Sequence, residues 1–209
     1  MIDYALNHAD KLGEALWEHI LLVALTLLFS IAAASLLSLL AMYVPVISRP
    51  IVYLFSILYA VPSLALFVLL IPLTGLGQKT AILVLILYNQ YILLRNFLTG
   101  LTDLDPSIVE AATGMGMNRW QTLFQVRLPL ARRSIFTGIR LASVSTVGIA
   151  TIAAFINAGG LGDILFDGLR TLNIDKIIWG SILSAGLALL INALFLYIEK
   201  RLTPPAAKL

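Results

Sequence analysis

Cysteine is absent from the 209 residues, which removes disulfide frameworks, thiolate metal sites and thiol nucleophiles from consideration. Charge is nearly as scarce. Only 12% of the residues are charged and 60% are hydrophobic, whereas a soluble domain carries about 25% charged residues. A water-soluble fold of this size cannot bury so much apolar surface, because small domains leave much of theirs in solvent. A soluble enzyme, a disordered tail and a fibrous repeat are thereby excluded. The formal net charge of +3 is modest, and no nucleic-acid partner is expected. What remains is an integral membrane protein that is all-α.

Uncharged runs locate the spans, since roughly 20 apolar residues cross the hydrocarbon core as a helix. The runs predict five spans, at about 20–42, 51–73, 80–98, 134–156 and 177–198, within one transmembrane domain over 1–209. Arg95 falls near one end of the third, where its side chain can reach the interface. The N-terminal piece does not read as a cleavable signal peptide. Such a peptide opens with a positive region, and here Asp3, Asp10, Glu14 and Glu18 face a single Lys11.

Lysine and arginine accumulate on the cytoplasmic side of a membrane. With five spans one side receives Arg49, Arg95, Arg119, Arg127, Arg132, Arg133, Arg140, Lys200, Arg201 and Lys208, ten in all. The other receives four: Lys11, Lys79, Arg170 and Lys176. The expected topology has the N-terminus outside, the C-terminus inside and the polar stretch 99–133 in the cytoplasm.

That stretch is orderly. Asp105-Pro106 reads as a helix start, with an N-cap Asp and Pro at the first helical position. Ile108, Ala111, Ala112 and Met115 follow at i, i+3, i+4 and i+7, one apolar face. Gly114 and Gly116 end this helix. Asn118 with Gln121 gives the capping-box pattern of a second helix, whose stripe is Trp120, Leu123 and Phe124 and which Pro129 closes. The fourth span then starts near Ser134. Two short amphipathic helices joined by a glycine turn serve either as a connector packed on its own spans or as a docking surface for a partner. The stripes alone do not choose.

Glu110-Ala111-Ala112, three residues, Gly116, nine residues, then Val126-Arg127-Leu128-Pro129 resembles the EAA loop of bacterial ABC-importer permeases, with Val126 in place of the usual Ile. Tyr59-Ala60-Val61-Pro62-Ser63-Leu64-Ala65-Leu66-Phe67 is similar to a stretch of the glycine betaine/carnitine/choline (osmoprotectant) uptake permeases. So are Asn96 with Gly100, Gly138-Ile139-Arg140 and Gly159-Gly160-Leu161-Gly162. The resemblance covers roughly residues 50–200, and Asn157 departs from it by standing where a small residue is expected.

The resemblance implies an importer of two permease chains, alike or different, two cytoplasmic ATPase subunits and an extracytoplasmic substrate-binding protein, set in the lipid of the bacterial cytoplasmic membrane. It implies that the short helices, with Glu110, Ala111, Ala112, Gly116, Leu128 and Pro129, couple to the ATPase. Glu110 orients the loop or contacts the ATPase, and Gly116 allows the tight turn between the helices.

Gly75-Leu76-Gly77-Gln78-Lys79-Thr80 lacks the Gly-Lys-Ser/Thr junction of a phosphate-binding loop, so any ATP site belongs to a partner and no cofactor is expected. Tyr88, Asn89, Gln90 and Tyr91 stand mid-span, and four consecutive residues sweep about 300° of a helix. They serve either hydrogen bonds to other helices or, for one or two of them, the lining of a path, where a tyrosine face suits a quaternary ammonium but is also an ordinary packing surface. Ser134, Gly138, Ser143, Ser145, Gly148, Ala150, Ala153 and Ala154 give span four a small surface, for packing within the chain or against a second permease. Arg140 needs a partner, either Glu199 or a loop carbonyl. His8 and His19 show no spacing that suggests a metal. Residues 157–176 form either a short element across the outer mouth, with Leu161, Leu165, Phe166 and Leu169 on one face, or a surface loop.

The expectation is a non-enzymatic permease subunit for ATP-dependent uptake of glycine betaine, carnitine or choline. A permease for another solute, such as an amino acid, is the alternative within the class. An ion-gradient transporter or channel is the alternative outside it, but internal repeats and acidic residues within the spans are both missing.

Overall fold

The computed structural model describes residues 2–202; Lys208, placed above with the basic flank, lies outside them. The described chain is helical throughout, without a strand. A short α1 (Ile2–Asn7) leads into α2 (Ala9–Tyr43), α3 (Pro45–Ala60), α4 (Ser63–Thr74) and α5 (Gln78–Thr102). The polar segment contributes α6 (Pro106–Gly114) and α7 (Arg119–Gln121), followed by α8 (Leu128–Ile152), α9 (Leu161–Arg170) and α10 (Ile174–Leu202).

Four stretches are long and apolar enough to cross a membrane: α2, α5, the run Arg119–Ile156 and α10. A fifth exists only if α3 and α4 count together, and they are bent by 101°. The stretch expected as a span at 51–73 is thus made of two helices with a sharp bend between them. The break falls at Val61-Pro62, where both residues are extended, with ψ of 134° and 132°. Proline pushes the residue before it out of the helical region and supplies no N–H. The Tyr88 hydroxyl of α5 donates to the Val61 carbonyl that the break frees, as backbone in an apolar layer requires.

α2 starts eleven residues before the expected 20, because charges end an apolar run without ending a helix. Leu12, Ala15, His19, Leu22 and Val23 recur at helical spacing and are buried. α8 also differs from expectation. The second loop helix does not stop at Pro129 but runs from α7 through a π-helical turn, Thr122–Arg127, into α8. Pro129 cannot donate to a carbonyl four residues back, and its ring presses on that carbonyl. The widened π turn just before it relieves both conflicts and lets the helix continue.

α5 is the central helix, packed against α2, α3, α4 and α8. Its Val84, Leu85, Leu93 and Leu94 are at most 1% exposed. The closest approaches to α8 are made at glycines. A Cβ at Gly138 would stand 2.7 Å from the Asn96 Cβ, and one at Gly100 would stand 2.9 Å from the Ser134 Cβ. Ser134 Oγ also donates to the Asn96 carbonyl at 2.7 Å. Small residues thus serve α5–α8 packing within the chain at Ser134 and Gly138; Ser143, Ala150 and Ala153 are buried, whereas Gly148 faces open space. α10 lies against α8 and α9 with most of its length uncovered.

Arg140 projects from α8 to α10, where Nε donates to Asn192 Oδ1 at 3.1 Å and Nη1 meets Glu199 Oε2 at 3.2 Å. The side chains are 29% and 15% exposed, between the surface and buried regimes of ion pairing. Glu199→Ala should cost about 1–3 kcal/mol by leaving a half-buried guanidinium uncompensated. Arg140→Leu with Glu199→Leu should recover most of that loss, as read from thermal unfolding in detergent.

Candidate functional site

The segment joining α5 to α8 is built by the signals that its sequence carries. Asp105 Oδ1 accepts the Ser107 N–H at 2.9 Å and caps α6. That bond to the backbone holds the Asp105 carboxyl below its ordinary range. Asn118 and Gln121 exchange both capping-box bonds, at 2.8 and 2.9 Å. Between the two helices Gly116 adopts φ +80°, a left-handed conformation that glycine enters freely. A Cβ there would meet nothing within 4 Å, so backbone conformation and not space selects glycine.

The apolar stripes do not bury as faces. On α6 only Ala112 is buried; Glu110 and Ala111 are exposed, and Glu110 makes no ion pair among the described residues. Leu123 is buried, whereas Met115, Trp120 and Phe124 are 70%, 63% and 61% exposed. Trp120 and Phe124 stack with centroids 6.1 Å apart. A small cluster of Leu101, Leu123 and Ala131, joined by Leu39, Met42 and Leu128, seats the segment on α2, α5 and α8. Arg127 Nη1 adds a bond of 2.6 Å to the Leu101 carbonyl at the end of α5. The result is a firmly anchored knob with an uncovered aromatic tip, while Leu128 and Pro129 lie in the stem.

The four mid-span residues divide as their angular spread requires. Asn89 Nδ2 donates to Ser30 Oγ of α2 at 3.2 Å and to Thr146 Oγ1 of α8 at 2.9 Å. Gln90 Nε2 reaches the Ser30 carbonyl at 3.2 Å. Both amides face the interior and join three helices. Tyr88 and Tyr91 turn instead to α3, where Tyr59 lies 5.6 and 5.1 Å from their ring centres. Tyr59 belongs to the family stretch, and the packing of α3 on α5 places it beside Tyr91.

At the opposite end Gly159 and Gly160 take φ +81° and +82°. Glu18 Oε2 accepts the Gly160 N–H at 2.9 Å, and a Cβ at Gly159 would stand 2.6 Å from that oxygen. This latches α9 to α2, so 157–176 is a packed element. Asn157 tolerates its position in the left-handed region, at φ 58°, which Asn enters more readily than most residues. His19 is buried and shares a hydrogen bond with the Val147 carbonyl at 3.2 Å. His8 stacks on Tyr4. Among the described residues no three His, Cys, Asp or Glu side chains gather as metal ligands. Gly75 and Gly77 form the turn into α5, and the Gly77 N–H donates to the Ile156 carbonyl at 2.7 Å.

Replacing Gly116 tests the knob directly. Left-handed backbone costs an ordinary residue about 1–2 kcal/mol, so Gly116→Val should speed amide exchange across 106–127 about tenfold. Gly116→Asn should leave exchange there nearly unchanged.

The comparisons with known proteins agree with this architecture. A carnitine transport permease protein of Listeria monocytogenes is 35% identical over 192 residues, 92% of this chain and 88% of that protein. An osmoprotectant import permease protein of Salmonella typhimurium is 36% identical over 208 residues, 97% of each chain. A choline transport system permease protein of Bacillus subtilis is 31% identical over 204 residues, 98% of this chain and 94% of that one. The methionine ABC transporter MetNI, solved in inward-facing conformations, shares the fold with a TM-score of 0.83 at 20% identity, over 95% of this chain and 99% of that one. Residues 26–205 match the binding-protein-dependent transport system inner membrane component family. The chain is a multi-pass membrane protein that belongs to this family.

Proposed function

We propose that the chain is the translocating subunit of an ATP-dependent importer for a small quaternary-ammonium osmoprotectant, of the glycine betaine, carnitine or choline kind. It acts as one transmembrane unit, paired with a second permease chain, alike or different. Two ATPase subunits and an extracytoplasmic binding protein complete the assembly, and ATP is hydrolysed by the ATPase alone. The relatives named for carnitine, osmoprotectant and choline transport support the substrate class. The ten-to-four division of basic residues supports an outside N-terminus, an inside C-terminus and a cytoplasmic loop.

One observation carries the coupling role: the uncovered apolar tip of Met115, Trp120 and Phe124 on a polar loop. Exposed aromatic side chains on a firm base are what protein interfaces enrich. In this reading the ATPase covers the tip, Glu110 beside it contacts the ATPase or orients the loop, and Ala111 and Ala112 keep α6 slim against its neighbours. Gly116 holds the turn. Leu128 and Pro129 lie where the knob passes into α8, so a displacement of the tip moves α8 as a rod. Of the mid-span residues, Tyr88 and Tyr91 line the path, while Asn89 and Gln90 hold the helices that form it.

Trp120→Ala combined with Met115→Glu should lower co-purification of the ATPase with the permease at least about tenfold, the scale of an interface hot spot. Leu172→Asn, at an exposed left-handed position of the opposite end, should leave co-purification unchanged. Retention of the ATPase by the double variant would remove the coupling role.

A further inference from the structure

A cavity of about 390 Å³ lies between α3 and α5, between the tyrosine cluster and the loop end of the bundle. Arg49 and Arg95 both line it, together with Ser48, Tyr53, Ser56 and Tyr91. No carboxylate is among its lining residues. Arg95 Nη1 donates only to the Tyr91 hydroxyl, at 3.2 Å, and Arg49 has no ion pair or side-chain hydrogen bond among the described residues. Two exposed guanidinium groups thus line one open cavity with hydroxyl groups around them and no carboxylate to neutralise them. An anionic oxygen group between them neutralises that charge and accepts charge-assisted hydrogen bonds.

The upper boundary of the cavity is aromatic. Tyr91 belongs both to its lining and to the cluster in which Tyr59 faces Tyr88 and Tyr91 with centroids 5.6 and 5.1 Å away. Tyr91 and Arg95 are one helical turn apart, about 6 Å along α5. The site therefore brings aromatic rings and two guanidinium groups into one lining.

We infer that this cavity binds a quaternary-ammonium carboxylate, with the ammonium against the ring of Tyr91 and the carboxylate between Arg95 and Arg49. The inference rests on the proposed function and narrows it. Cation–π attraction holds the ammonium, but the same arginines repel a cation that lacks a carboxylate. Glycine betaine and carnitine match both kinds of group; choline matches only one.

Saturation-transfer NMR on the purified permease–ATPase complex, without the binding protein, reads this weak site directly. The N-methyl signal of glycine betaine should be saturated by the wild-type complex and that of choline at least about fivefold less. Arg95→Gln and Arg49→Gln should each lower the betaine signal about fivefold or more, and Arg95→Lys should retain at least half of it, with assembly checked by size exclusion. Equal signals for choline and betaine, or a betaine signal unchanged in the Gln variants, would overturn the inference. So would native mass spectrometry showing an anionic phospholipid held by the wild type and released by the Gln variants, which assigns the arginines to a lipid phosphate. ATP-driven uptake of quaternary ammonium solutes by the complete wild-type system is measured in parallel. Its absence defeats the proposed function, whereas its presence with a silent cavity defeats only this inference.

Discussion

The contact between α5 and α8 is the constraint on which the other elements depend. Gly100 and Gly138 bring the two backbones close enough for Ser134 to reach the Asn96 carbonyl. Deeper in, Asn89 bonds Thr146 and Ser30 and ties α2 into the same layer. Apolar helices gain little from one another in a bilayer by hydrophobic burial, so close packing and buried hydrogen bonds must select their arrangement. Here both meet on α5, which packs closely on α8 and bonds to α8 and α2. The peripheral elements, α3, α4 and α10, are held far less tightly; no residue of α3 is buried.

This distribution of rigidity suits the proposed task. The knob, the π turn and α8 form one run from Arg119 to Ile156, seated on α5 through Leu101, Leu123 and Ala131. Force applied at Trp120 therefore reaches the middle of the bundle without an intervening hinge. The break in the helical backbone lies instead at Val61-Pro62, near the tyrosines. In the proposed coupling, the stiff α5–α8 pair moves against the broken α3–α4 segment, a discrete rearrangement of the kind that coupling needs.

Much of this was legible in the sequence wherever the signal was local. Asp105-Pro106, the Asn118–Gln121 box and Gly116 each specify a backbone event within a few residues, and each forms as read. The ion pair of Arg140 with Glu199 was one of two partners foreseen. Apolar-run counting, in contrast, registers hydrophobicity but not chain direction, so it passed over the bend at Pro62 and the buried extension of α2 among acidic residues. Pro129 read as a stop because the rule concerns an α-helix, and the π turn changes which carbonyls need donors. The stripes on α6 and α7 carried no information about what covers them; tertiary placement left Met115 and Trp120 in the open. Helical spacing likewise separated Asn89 from Tyr91 without saying which faced the interior. Tyr59 joins Tyr91 only through the fold.

The central claim is that transport by this chain is driven from its loop by a separate ATPase. The most direct measurement is uptake of labelled quaternary ammonium solute into vesicles holding the purified permease, with and without the ATPase, ATP and the binding protein. The account predicts accumulation only when all three are supplied. Accumulation by the permease alone on an ion gradient would contradict it.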